Sequence, residues 1–214
     1  MKKIYLSFFI LTFISCAEIQ YDGSKRLVFQ TVVKNYNGQP LPNCQVEITT
    51  STEYDSDLIS KGKTNENGEV TLIFPFPDPE NVNINLNIYN EEASYLPKQL
   101  LNIKKKDFVN YKFVLQNANL LKRDETAPLR ILYNQSSPNN VIKRVTINGI
   151  YYIYQEIYNN TDDYYYELPV EILLKKNQAF QLKYTVLNTQ TNSVTNYTVD
   201  LTIGNEQTSY TINY

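Results

Sequence analysis

Val82, Ile84, Leu86 and Ile88 alternate with Asn83, Asn85 and Asn87, and this period of two constrains the fold more than any other feature. Successive side chains of a strand point to opposite faces, so the stretch reads as a strand with one face in a core and one in water. Cys44, Val46 and Ile48 repeat the pattern against Gln45, Glu47 and Thr49, and Val70, Leu72 and Phe74 share one face of 69–74. Asn37-Gly38, Asn67-Gly68, Asn148-Gly149 and Gly204-Asn205 supply turns between such runs. No stretch carries helical periodicity over three turns. Further strands are expected at 26–34, 108–116, 129–134, 141–147, 150–158, 179–188, 194–203 and 208–214. Within them, Val109, Tyr111, Phe113 and Leu115 are expected on one face, and Tyr197, Val199, Leu201 and Ile203 on an inward face.

The N-terminus has a different grammar. Lys2 and Lys3 precede an apolar run over 4–14, followed by Ser15-Cys16. Eleven residues are too few for a bilayer-spanning helix, which needs ~20. The layout is that of a secretory signal peptide. Phe13-Ile14-Ser15-Cys16 resembles a bacterial lipobox, with Phe where Leu is usual. The resemblance implies that 1–15 is a lipoprotein signal peptide and that Cys16 is the lipidated N-terminus of the mature chain. The other reading is an ordinary signal peptide with an incidental cysteine. Each buried methylene contributes ~0.8 kcal/mol, so several acyl chains would make membrane attachment effectively permanent. Residues 16–25 would then be a short tether, and Cys44, with no disulfide partner, a free buried thiol. Localisation follows as a cell envelope with a lipid anchor, at the outer membrane. Only Glu18 and Asp22 stand near the cysteine, so the facing, surface or periplasm, stays open.

Two domains are expected after the tether. The segments Gly38-Gln39-Pro40-Leu41-Pro42-Asn43-Cys44-Gln45-Val46 and Lys63-Thr64-Asn65-Glu66-Asn67-Gly68-Glu69-Val70 resemble the carboxypeptidase regulatory-like domain. That resemblance implies a small transthyretin-like β-sandwich over 26–116 and a non-catalytic module. Asn43 stands where that family often has Gly, and Asn tolerates a left-handed backbone best after Gly. Residues 117–128, with Lys122-Arg123-Asp124-Glu125 and Ala127-Pro128, read as a linker, and 129–214 as a second β-sandwich of no recognised family. The fold class is therefore all-β, with two consecutive antiparallel sandwiches of the Ig or transthyretin kind.

Composition narrows the chemistry. With no His, the chain cannot run Ser-His-Asp or Cys-His catalysis or ligate a metal through imidazole. Two Cys make neither a Cys-rich zinc site nor an iron–sulfur cluster. Lys+Arg 20 against Asp+Glu 22 lacks the basic excess of a nucleic-acid binder. No phosphate-binding glycine loop or nucleophile elbow occurs. No catalytic residue, cofactor or metal is assigned.

Contact residues are expected in the second half. In 150–158, Tyr151, Ile153 and Ile157 fit a core face, while Tyr152, Tyr154 and Tyr158 share the opposite face with Glu156. Tyrosine offers contact area at low entropy cost plus a hydroxyl, which suits a protein or glycan partner. It also simply favours strands. The acidic loops Asn159-Asn160-Thr161-Asp162-Asp163 and Glu53, Asp55, Asp57 lack calcium-loop order and read as polar turns. Lys104-Lys105-Lys106 reads as a solvated loop or a contact with anionic headgroups. The function expected is adhesion or ligand capture by an envelope lipoprotein through its distal Tyr-rich domain. The alternatives are a scaffolding or accessory subunit of an outer-membrane transporter or envelope complex and, remotely, a hydrolase built on carboxylates.

Overall fold

The period-two runs become strands. The computed structural model describes residues 19–53, 55–152 and 168–214. The first group of strands is β1 (Tyr21–Asn35), β2 (Gln45–Ser51), β3 (Ser56–Lys63), β4 (Glu69–Pro77), β5 (Asn83–Tyr89), β6 (Lys98–Ile103) and β7 (Lys112–Leu120). They make a three-stranded sheet, β4-β1-β7, and a four-stranded sheet, β3-β2-β5-β6. The second group is β8 (Thr126–Asn134), β9 (Asn140–Asn148), β10 (Tyr151–Tyr152), β11 (Glu171–Lys175), β12 (Gln178–Asn188), β13 (Ser193–Ile203) and β14 (Thr208–Asn213). Its sheets run β10-β11-β8-β14 and β13-β12-β9. The fold is all-β, and no α-helix occurs among the described residues.

Each group packs sheet on sheet. Leu27, Phe29 and Val33 of β1 and Leu72 and Phe74 of β4 meet Val46, Ile48, Leu86 and Ile88 of β2 and β5 in one core. Leu129 and Ile131 of β8 and Leu174 of β11 meet Val145, Leu182 and Val186 of β9 and β12 in another. Aromatic rings tighten the first core: Phe108 lies 5.9 Å from Phe74, edge to face, and 5.6 Å from Phe113. Such pairs contribute about 1 kcal/mol each beyond their burial.

The turns explain the hairpin chemistry. Gly68 takes φ +74, and a Cβ there would lie 2.4 Å from the Val33 carbonyl oxygen. The Asn65 side chain accepts the amides of Asn67 at 3.0 Å and Glu69 at 2.9 Å, closing the same turn. Asn43 takes φ +58, the left-handed conformation its residue type tolerates. Thr64, 3% exposed, bridges this corner to the core: its hydroxyl accepts the Cys44 amide at 2.9 Å and donates to the Leu41 carbonyl at 2.6 Å.

Several details differ from the alternation pattern. Pairing is antiparallel except at two places, where β1 runs parallel to β7 and β8 parallel to β14. Phe113 and Leu115 pack against the first core, but Val109 and Tyr111 are 72% and 51% exposed. Asn110 and Tyr111 both take positive φ, which turns the chain and delays the strand to Lys112. β1 starts earlier than expected, at Tyr21, whose hydroxyl donates to Asp57 at 2.9 Å and lies 2.6 Å from the Thr50 hydroxyl. β3, β6 and β11 form where no strand was expected. Residues of the expected linker are absorbed at both ends, because Ala118 and Leu120 belong to the first core and Ala127 to the second. Between them, Leu121 accepts the Leu96 amide at 2.8 Å, Arg123 donates to Ser94 at 2.9 Å and Glu125 accepts the Lys176 amide at 2.8 Å.

Candidate contact surfaces

β10 decides where the tyrosines go. Tyr151 pairs with Leu174 and Tyr152 with Leu173, and β11 in turn sets Leu174 against Ala127 and Leu173 against Pro128. Directly opposed residues share a sheet face. Tyr151 therefore joins the core side and packs against it, while Tyr152 takes the outer side with Leu173 and Pro128. Tyr152 is half-buried. Tyr154 and Tyr158 lie outside the described residues, as do Cys16 and the 159–163 loop.

The outer side of β13-β12-β9 carries a surface that local sequence did not single out. Cross-strand register stacks it in rows. Val141, Leu187 and Val194 form an aliphatic row, with Val194 59% exposed. Arg144, Thr185 and Asn196 form the next, then Thr146, Lys183 and Thr198, then Asn148, Gln181 and Asp200. This sheet carries a depression of about 440 Å³ lined by Arg144, Lys183 and their hydroxyl and amide neighbours, together with Ile147, Tyr184 and Tyr197. The polar side chains there are partly paired among themselves: Thr185 Oγ1 donates to Asn196 Oδ1 at 2.8 Å, and Gln181 Nε2 to Asp200 Oδ1 at 2.9 Å. Arg144 and Lys183 have no hydrogen-bond or ion-pair partner among the described residues. Only the register of β9 against β12, distant in sequence, brings the two cations to one face. That register was the missing signal.

A second outward face carries exposed aliphatic side chains among polar ones. On β4-β1-β7, Val28 sits opposite Ile73, and Val114 follows one row on, opposite Gln30. Ile73 is 62% exposed and Val114 54%.

The basic run is largely engaged. Lys104 donates to the Asn83 side chain. Lys105 donates to the Asp78 carbonyl at 2.9 Å, and its ammonium lies 5.0 Å above the Phe76 ring. Lys106 alone of the three is exposed. Among the described residues no three His, Cys, Asp or Glu side chains gather as metal ligands would.

Comparison of the sequence with protein-family models and with curated proteins finds no match. Solved structures align with it at low similarity. A lipoxygenase from Cyanothece aligns at 17% identity and TM-score 0.30, over 48% of this chain and 18% of that one. The shaft pilin SpaA from Lactobacillus rhamnosus GG aligns at 10% identity and TM-score 0.30, over 88% of this chain and 97% of the pilin. The tip fimbrial protein of Porphyromonas gingivalis aligns at 8% identity and TM-score 0.28, over 82% of each chain.

Proposed function

We propose that this chain is a non-catalytic contact module of the cell envelope, held at a membrane by lipid on Cys16 and acting in adhesion or capture of a partner through its second sandwich. One observation carries the reading. Inward side chains of both halves are consumed by sheet-to-sheet packing, whereas Arg144 and Lys183, unpaired among the described residues, and the aliphatic row of the second half face outward on β13-β12-β9. Tyr152, half-buried beside Leu173 and Pro128, adds aromatic area on the opposite sheet, and Tyr154 and Tyr158 are assigned to the same contact by their period. The first half is read as a carboxypeptidase regulatory-like spacer, supported by the left-handed Asn43 and the Gly68 turn at its motif positions.

Two measurements on the full-length protein in a lipoprotein-processing bacterium test this. Metabolic fatty-acid labelling is expected on the native chain and lost in Cys16→Ser; a blank native chain ends the anchoring reading. Purified from solubilised envelope after cross-linking, the native chain is expected to carry a partner that Tyr152→Ala/Tyr154→Ala/Tyr158→Ala weakens at least fivefold. A native chain that carries none ends the contact reading.

The exposed Ile73 and Val114 on the first half, with half-buried Val28 beside them, favour a second role, a scaffolding subunit of an envelope complex. Exposed aliphatic side chains on a sheet face are what a stable protein contact would bury. One stoichiometric membrane partner, released by Ile73→Lys, would identify that role.

A further inference from the structure

We infer that the depression on β13-β12-β9 and the aliphatic row beside it form a docking site for an extended acidic peptide segment, with Arg144 and Lys183 taking its carboxylates and the Val141, Leu187 and Val194 row next to the depression taking an aliphatic side chain. The inference rests on the reading of the chain as a contact module and names the surface and the partner chemistry.

Charge argues first. Arg144 and Lys183 are diagonal neighbours on adjacent strands, which places their Cβ atoms roughly 7 Å apart. Two like charges that close repel, and among the described residues neither has an anion paired with it. The one carboxylate of these rows among the described residues, Asp200, is bonded to Gln181 in the last row. Arg and Lys so placed, with Thr146, Thr198 and Asn196 hydroxyls and amide around them, offer donors in excess of acceptors. The complementary ligand is an anion with oxygen acceptors.

Spacing argues second. Along β12, Leu187, Thr185 and Lys183 succeed one another two residues at a time, about 6.7 Å per row. An extended peptide lying along the strands repeats its own same-side residues at that rise. A segment written aliphatic-x-acidic-x-acidic therefore seats one side chain on each of three consecutive rows, in the order apolar, Arg144, Lys183. Tyr184 and Tyr197 line the depression, but both come from the inward rows and their rings stack on each other at 4.8 Å, while the outward rows themselves carry no aromatic side chain. These features favour a peptide over an acidic sugar.

The test uses the full-length protein in detergent and a labelled nine-residue peptide with one valine and two glutamates at alternate positions. Its controls are the same peptide with glutamines for glutamates and a sulfated oligosaccharide of similar charge. Anisotropy is read at 20 mM and 200 mM salt. The expected result is binding that falls at least tenfold in Arg144→Gln/Lys183→Gln, at least tenfold for the glutamine peptide, and severalfold at the higher salt. Leu187→Asn is expected to weaken the peptide severalfold and leave its salt dependence unchanged. Lys61→Gln, on the other half, is expected to change nothing. Native-like circular dichroism of each variant shows that it has folded. Equal binding by the double charge variant, or tighter binding of the oligosaccharide with the same losses, overturns the proposal. So does self-association of the chain that disappears in the double variant, which would make the occupant a second copy. If the peptide fails but cross-linked partner capture persists, this site is wrong and the contact-module reading stands.

Discussion

The rings of Tyr184 and Tyr197 stack across β12 and β13, centroids 4.8 Å apart and planes 13° apart, although Tyr184 is 7% exposed and Tyr197 41%. β13 is the edge of its sheet, so the inner face of its first half overhangs the core and Tyr184 supplies the cover. Tyr197→Ala is expected to destabilise the fold by about 1–2 kcal/mol, from lost stacking and partial burial. Urea denaturation measures it, and Tyr197→Phe is expected to be nearly neutral.

Tyr184 also sets an alkaline limit. Burial first, then the neighbouring Tyr210, pushes its hydroxyl up to about 12. Burial does the same to Tyr21, opposed by the Thr50 hydrogen bond and reinforced by Asp57, again up to about 12. An unfolded tyrosine ionises near 10. The folded state thus favours the neutral phenol: its stability is intact below pH 10 and lost as pH rises from 10 towards 12. Denaturation midpoints between pH 8 and 11.5 are expected to fall steeply at the top of the range, and less steeply in Tyr184→Phe.

Thr64→Val is expected to cost about 2–4 kcal/mol by chemical denaturation. It strands the buried Cys44 amide and Leu41 carbonyl at no gain in volume. Thr64→Ser keeps the hydroxyl and is expected to recover most of the loss.

Gly68→Ala is expected to cost about 2–4 kcal/mol, since the left-handed backbone and the nearby Val33 carbonyl both oppose a Cβ. Gly204→Ala, with nothing within 4 Å and no positive φ, is the neutral control.

The Cys44 thiol is buried, and burial pushes its ionisation upward against hydrogen bonds from Thr64 and Asn90. A maleimide at pH 7.5 is expected to leave Cys44 unlabelled in the native chain and to label it fully in urea, as peptide mapping would show. Rapid native labelling would contradict this packing.

Legibility in the sequence tracked how many constraints each element obeys. β4 and β5 were plain because one face is buried and the other wet along their whole length. β3 and β6 are sheet edges whose burial alternates weakly and whose register shifts, so Ser56–Lys63 and Lys98–Ile103 gave no clean period. Alternation also carries no sign of direction, which is why the parallel β1/β7 and β8/β14 ladders were invisible. In β13 the period correctly placed Tyr197, Val199, Leu201 and Ile203 on one face, but only the sheet order shows that Tyr197 is incompletely covered. Tyr151 inward and Tyr152 outward followed from the period alone. Arg144 and Lys183 are 39 positions apart, and no local pattern joins them.

Parallel closure has a mechanical consequence. The first and last strands of each half are neighbours that run the same way, so tension applied at Tyr21 and Leu120, or at Thr126 and Asn213, pulls on opposite ends of one ladder. Such a load shears all rungs together instead of unzipping them one by one. Stretched from its two ends, the chain would resist at both halves with its strongest geometry.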